Sequence, residues 1–290
     1  MAEWTIRLLE TPEEMTAVEN LQRLIWTGSE TDVIPAHMLL AVVHNGGLAL
    51  GAFVGTDLVG VAFGFPGIYA TPDGPRLKHH SHILGVLPAW SGKGVGFALK
   101  RAQWQVVRKQ GIDRITWTYD PLLSRNAHLN ITRLGAVCNT YLRSEYGEMR
   151  DGLNSGLPSD RFQVDWWLNT KRVERHLSRR PRPVLSLEHY LIAGAAVLAA
   201  LPDRGLAARP QGTTPSLAGT LLLFEIPTDF PALKANDMTL ARDWRFYARE
   251  IFEDAFVSDY LVTDFIHDQG RSYYVLTHAD STLQDDQGAD

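Results

Sequence analysis

Val86-Leu87-Pro88-Ala89-Trp90-Ser91-Gly92-Lys93-Gly94-Val95-Gly96 joins a stretch with strand composition to an amphipathic one, and its reading decides the fold. Upstream, His80 to Leu87 has the residue types of a strand. Downstream, Val95, Leu99, Ala102 and Val106 recur at helical spacing as far as Gly111, so a helix starts where the loop ends. The backbone N–H groups of a glycine-rich turn and the open N-terminus of a helix then converge on one point, the geometry that holds a phosphate. Three glycines let the main chain approach an anion with no Cβ in the way, and Lys93 adds positive charge. No Gly-Lys-Ser/Thr places a magnesium ligand, and no glycine stands three residues after Gly94, so neither a P-loop nor a dinucleotide fingerprint is present. A pyrophosphate or similar group is the expected ligand. An ordinary tight turn that binds nothing carries the same glycines, so the surrounding elements have to decide.

Working outward, Thr5 to Leu9 alternates as a strand, and Thr11-Pro12-Glu13-Glu14 supplies an N-cap, a first-turn proline and a capping glutamate for a helix striped by Met15, Val18, Leu21 and Ile25. A second short helix follows Pro35 and ends near Gly46-Gly47. Leu48 to Val54 and Leu58 to Tyr69, joined by Gly55-Thr56-Asp57, read as a hairpin. After the glycine loop and its helix come a strand at Arg114 to Tyr119, a helix at Ser124 to Leu134 stopped by Gly135, and strands at Val137 to Leu142 and Phe162 to Leu168. The expected fold class is mixed α/β: residues 1–170 form the first domain, 171–185 a linker containing the stiff basic run Arg179-Arg180-Pro181-Arg182-Pro183, 186–279 a smaller α/β domain, and 280–290 a disordered acidic tail. In the second domain a strand at Leu221 to Ile226, a long helix striped by Leu240, Trp244, Ala248, Ile251 and Ala255, and strands at Tyr260 to Ile266 and Tyr273 to Leu276 are expected. Leu191 to Leu201 is apolar, about half the length that spans a bilayer, and reads as a buried helix.

Composition excludes several classes. The net charge of −5, from 33 acidic and 28 basic residues dispersed along 290, leaves no footprint for a nucleic acid. With 45% hydrophobic and 21% charged residues the chain has enough apolar matter for a sizeable core. Cys138 is the only cysteine, so no disulfide forms within the chain; it reads as a buried small hydrophobe, and no metal is expected. Neither a basic-then-apolar N-terminus nor a membrane span is present, which reads as a cytoplasmic protein.

The stretch Val86 to Gly96 resembles the acyl-CoA-binding motif of the GNAT superfamily of N-acyltransferases, and the order of elements across residues 4–169 is similar to the family's order. The resemblance implies a central, mostly antiparallel sheet splayed at the cofactor site. It implies acetyl-CoA or succinyl-CoA as co-substrate, held by Leu84, Gly85, Val86, Ser91, Gly92, Lys93, Gly94, Val95 and Gly96, with Ser91 where the family usually has Arg or Gln. Ser124 to Ala136 is similar to the family's next helix, so Asn126 and Asn130 are candidates to face the cofactor. Where many members carry a tyrosine that protonates the leaving thiolate, this chain has Ile131.

An amine acceptor is protonated near neutral pH, and freeing it costs roughly 4 kcal/mol. A base recovers part of that, and His79, His80 and His82 crowd the strand before Val86. Strand alternation puts His80 and His82 on one face with Leu84 and Val86. Histidines six and four residues before the motif valine also resemble the arylalkylamine N-acetyltransferase branch, where both act as bases. Covering a sheet face is the bland alternative for either ring. For the acid, Tyr141, Tyr119 and Tyr146 are candidates, each equally a packing residue; Arg161 is a candidate partner for an acceptor carboxylate, with a solvated surface charge as its plain reading.

The second domain echoes the first in its strand, helix and strand, as a degenerate GNAT-like half would. Its turn from Pro227 to Asn236 has no glycine and is expected to bind no CoA, leaving that domain to cover an acceptor pocket or form a homodimer interface. The leading reading is N-acylation of a small-molecule primary amine, within a two-domain bacterial subgroup linked to amino-acid N-succinylation. A catalytically inactive CoA-binding sensor, and a partner protein whose loop binds nothing, are the alternatives.

Overall fold

The structure, a computed structural model, describes residues 4–27, 30–147, 155–178, 183, 185–198 and 217–278. The tail 280–290 and all of the basic run except Pro183 lie outside the described residues. The chain separates into two compact units, and the division falls between Trp117 and Thr118, inside a strand, rather than in the 171–185 stretch.

The first unit is built on strands β1 (Thr5–Leu8), β2 (Leu48–Val54), β3 (Asp57–Thr71) and β4 (Gly74–Val86), antiparallel in that order, with the start of β5 (Arg114–Tyr119) parallel to β4. Helix α1 (Pro12–Ile25) opens with the capping box expected from Thr11 and Glu14, and α2 (Ala36–His44) follows Pro35. Their apolar stripes meet one face of the sheet, where Met15, Val18, Leu21 and Leu39 pack with Val61, Phe63 and Ile83. Helix α3 (Val95–Lys109) lies on the opposite face, where a Cβ at Gly60 would come within 3.3 Å of Leu99. Strand β4 begins at Gly74, earlier than its composition suggested, because Thr71 and Gly74 close a hairpin onto β3.

The second unit has strand order β7 (Arg161–Trp167), β6 (Val137–Leu142), β10 (Tyr260–Asp268), β11 (Arg271–His278), β9 (Leu221–Ile226), β8 (Ala196–Leu198). Helix α8 (Met238–Val257) packs an aromatic core in which Phe252 meets Phe162, Phe224 and Tyr274 edge-on, with centroids 4.6 to 5.2 Å apart. The expected helix from Ser124 has two parts: an α-turn, α4 (Ser124–Ala127), and a π-helical turn over His128–Arg133, closed by Leu134 N–H to Leu129 O at 3.0 Å.

Three sequence readings change here. Of the stretch 191–201, residues 199–201 lie outside the described residues, and 191–198 is not a buried helix: α6 (Leu187–Ile192) ends inside it, Leu191 and Ile192 are exposed, and β8 follows, because Gly194 at φ 85° turns the chain. Helix α5 (Lys171–Leu177), capped by Thr170, occupies the expected linker. The glycine-free turn after β9 contains α7 (Phe230–Asn236), capped by Asp229. Strands β9 and β10 flank β11, antiparallel to both, so they run parallel without being neighbours.

Candidate active site

The glycine loop has the conformation its sequence demands. Pro88–Trp90 form one 3₁₀ turn, then Gly92 and Gly94 adopt φ of 78° and 87°, the left-handed region where a side chain is strained. Helix α3 begins at once, and Gly94 caps it with no side chain. Within the loop, Ser91 N–H goes to Pro88 O at 3.2 Å and Lys93 N–H to Trp90 O at 3.4 Å, while Ala98 N–H starts the helical ladder at Gly94 O. Among the described residues, the amides of Gly92, Gly94, Val95 and Gly96 meet no backbone carbonyl. The Lys93 ammonium lies 4.6 Å over the Trp90 ring. A Cβ at Gly94 would find only the Trp4 indole, at 3.9 Å. The cradle is open and its donors are available, which fits a diphosphate.

Strand β4 supplies the second half. It pairs with β5 only at His79 with Ile115 and His80 with Thr116, although it runs on to Val86. On its other edge, Leu87 N–H bonds to Val59 O at 2.9 Å. In an antiparallel pair successive amides alternate between the two edges, so the N–H groups of Leu84 and Val86 point away from β3, to the edge where pairing with β5 has stopped. That edge is the splay expected at the cofactor site, and it lies immediately before the glycine loop.

The histidines are where the sequence reading needs correction. The β3–β4 register shifts between Phe63/Ile83 and Gly64/Ser81, so β4 carries one extra residue, His82. A bulge reverses the alternation. Leu84 and Val86 line the α3 side, at 3.9 Å from a Cβ at Gly96, as does Ser81, bonded to Lys100 of that helix. Ile83 lies with the α1 and α2 core, and a Cβ at Gly85 would strike Trp26 and Ile25. His80 pairs with Phe65, which belongs to that same core, and the His82 ring joins them: centroids are 5.2 Å from Phe65 to His80, 5.8 Å from Phe65 to His82, and 5.8 Å between the histidines. The pair is therefore brought together on the face of Ile83 and Gly85, opposite Leu84 and Val86. Burial, with His82, Lys78 and Lys100 nearby, pushes His80 down to about 4, and burial lowers the more exposed His82 as well. Both imidazoles are neutral at pH 7 and have lone pairs to offer.

His79 is buried on the α3 side, its ring filling the space that a Cβ at Gly64 would take. Its Nε2 is 3.2 Å from Gln103 Nε2, and burial and Lys100 push it down to about 3.

The remaining candidates belong to the second unit. The Tyr141 hydroxyl donates to Asp160 at 2.8 Å, and Arg249 grips the same carboxylate through two bonds of 2.8 and 2.9 Å. Burial and the Asp160 charge raise Tyr141 far above its ordinary value. A phenol so placed keeps its proton, so the geometry turns against Tyr141 as the acid. Tyr119 is buried against the Tyr274 hydroxyl, whereas Tyr146 is exposed and meets the Thr118 hydroxyl at 2.6 Å. Arg161 is buried, not the surface charge of the plain reading: it donates to Asp160 O at 2.9 Å, stands 4.0 Å from the Asp120 carboxylate, and overlies Tyr146. Asp120 is itself held in a buried bidentate pair by Arg245, which sequence reading missed because 125 residues separate them. Asn130 is buried in the π-turn beside Ile131, Asn126 is half-buried, and Cys138 is fully buried, as expected. Among the described residues no cluster of metal-ligating side chains occurs, and no helix is long and apolar enough to cross a membrane.

No family model matches the sequence, and no curated protein matches it. Among solved structures, a protein from Desulfovibrio desulfuricans assigned to the GNAT family of acetyltransferases has a TM-score of 0.45 and 16% identity, over 57% of this chain and 99% of its own. A GNAT-family acetyltransferase from Streptococcus pneumoniae scores 0.44 at 14% identity, over 56% and 98%. The ribosomal-protein-S18-alanine N-acetyltransferase from Escherichia coli scores 0.43 at 14% identity, over 63% and 99%. The chain is similar to acetyltransferases of this kind. Its chemistry is read from its own residues.

Proposed function

We propose that the chain is an acyl-CoA-dependent N-acyltransferase that acts on a small primary amine. The observation that carries the reading is the junction of two open donor sets. The unspent amides of Gly92, Gly94, Val95 and Gly96 suit a diphosphate, and the outward amides of Leu84 and Val86 on the unpaired edge of β4 suit an extended arm leading from it. Coenzyme A has that combination, with a reactive thioester at the end of the arm.

In this scheme the loop amides and the α3 N-terminus hold the diphosphate, Val86 N–H donates to the oxygen on which negative charge develops, and the histidine pair takes the amine proton. A base near 4 is a poor proton store, so His80 serves as a relay, with the more exposed His82 passing the proton on to solvent. Acetyl or succinyl are the proposed acyl groups. Calorimetric titration with CoA, followed by thiol release from acetyl-CoA and succinyl-CoA across a panel of amines, tests the reading. Submillimolar CoA binding with amine-dependent thiol release supports it; absence of CoA binding removes it. The Ile131 substitution and the committed proton of Tyr141 favour one second reading, a CoA-binding protein without turnover, for which binding is seen and amine-dependent release is not.

A further inference from the structure

Behind the histidine strand, on the α3 side, a set of polar groups is sealed in the core with no part in the scheme above. Lys100 has 1% of its surface exposed, yet its ammonium donates to Ser81 Oγ at 3.0 Å and Gln103 Oε1 at 2.7 Å, and lies 3.7 Å over the Trp117 ring. That bond fixes which way the Gln103 amide faces: its carbonyl takes Lys100 and its NH₂ donates to His79 Nε2. His79 then carries its proton on Nδ1, which has no hydrogen-bond partner among the described residues. Apolar residues of equal volume often serve a core as well as or better than a buried charge. The network joins α3, the helix that begins at the glycine loop, to β4 at Ser81 and His79, the two residues that alternate with His80 and adjoin the bulge.

We propose that Lys100 is a positioning residue for the histidine pair: clamped to Ser81 and Gln103, it fixes the bulge that turns His82 onto the His80 side and sets a positive charge behind His80. Burial lowers Lys100 strongly, while Ser81, Gln103 and the Trp117 ring hold its ammonium in place on the far side of the strand from the histidine pair. The other charged neighbours of His80 are His82 and Lys78 on its own strand; its neighbours across the sheet, Phe65 on β3 and Thr116 on β5, carry none. Burial keeps the pair unprotonated through mildly acidic pH, and the Lys100 charge adds to this at His80, so the pair keeps accepting protons from the acceptor amine.

The proposal rests on the acyltransferase reading, and its test is arranged to separate the two. Lys100→Met keeps the stem and removes the charge; Lys100→Arg keeps the charge. Four readouts are taken: the thermal midpoint, CoA affinity by calorimetry, the titration midpoints of the His80 and His82 ring protons by NMR, and kcat/KM against pH. In Lys100→Met the thermal midpoint should hold or rise, CoA affinity should stay within about twofold, and the His80 midpoint should climb from about 4. The acid limb of kcat/KM should climb with it, while Lys100→Arg keeps the low midpoint. Unchanged histidine midpoints in folded Lys100→Met overturn the proposal, as does a loss of activity that only tracks a loss of folded protein. If Lys100→Met does not fold, Lys100→Gln, which removes the charge but keeps a donor for Ser81, must raise the His80 midpoint in the same direction, and a fixed midpoint there overturns it too. A wild-type protein that acylates no amine sinks the acyltransferase reading, and the NMR comparison still decides the role of Lys100.

Discussion

Replacing Gly94 by alanine separates what the glycine loop costs the fold from what it does for a ligand. Gly94 has φ 87°, and an alanine held there costs about 1 to 2 kcal/mol. The new methyl is not otherwise resisted, because the nearest atom is Trp4 at 3.9 Å. A matched control exists at the far end of the same helix: Gly111 has φ 77° and nothing within 4 Å of its would-be Cβ. Both substitutions should lower the thermal midpoint by a similar amount, roughly 2 to 8 °C at about 2 to 4 °C per kcal/mol for a chain of this size. Only Gly94→Ala should also weaken CoA binding. If the backbone holds, the methyl stands in the cradle; if it relaxes to negative φ, the amides of Gly94 and Val95 no longer converge. Losing one hydrogen bond to a charged group is worth about 1.5 to 3 kcal/mol, which is on the order of a 10-fold to 150-fold rise in Kd by calorimetry. Wild-type CoA affinity in Gly94→Ala, or an equal loss in Gly111→Ala, would refute the reasoning.

Other outcomes follow from the same geometry. His80→Ala with His82→Ala should lower kcat/KM by about 10²-fold to 10⁴-fold while leaving CoA affinity unchanged, as read by thiol release and calorimetry. Tyr141→Phe should keep acyl transfer within a few-fold of wild type, because its proton belongs to Asp160, and should cost about 1 to 3 kcal/mol in urea unfolding; a hundredfold loss of turnover would restore it as the acid. His79 titrates near 3 in the fold and near 6.5 unfolded, so between those values the unfolded chain binds the extra proton. Its contribution to stability is complete above about 6.5 and lost as the pH falls towards 3, roughly 5 kcal/mol at most. Urea midpoints at pH 7 and pH 4 should show the loss in wild type and a flatter slope in His79→Leu.

Much of the first unit was legible because local signals decide it. The capping box at Thr11 and Glu14, the hairpin at Gly55 and the glycine loop each act over a few residues, and each formed where its residues stand. The face on which His80 and His82 lie was not legible. Alternation is a rule for unbroken strands, and the extra residue at His82 is set by how Phe63 and Gly64 meet β4 from across the sheet. The space for the buried His79 ring, vacated by Gly64, is the one local trace of that bulge. In the second unit the pairs Arg245 with Asp120 and Arg249 with Asp160 join residues 125 and 89 positions apart, and no spacing rule reaches that far. Leu191 to Leu201 misled for a related reason. An apolar run says that something is to be covered, not that it is helical, and Gly194 was the residue to weigh.

Backbone NMR with CoA and with pantetheine, which carries the arm but no diphosphate, bears most directly on the central claim. The account expects CoA to move the amide signals of Gly92, Gly94, Val95, Gly96, Leu84 and Val86, and pantetheine at matched saturation to move only Leu84 and Val86. Loop amides that stay in place when CoA saturates the protein would contradict it.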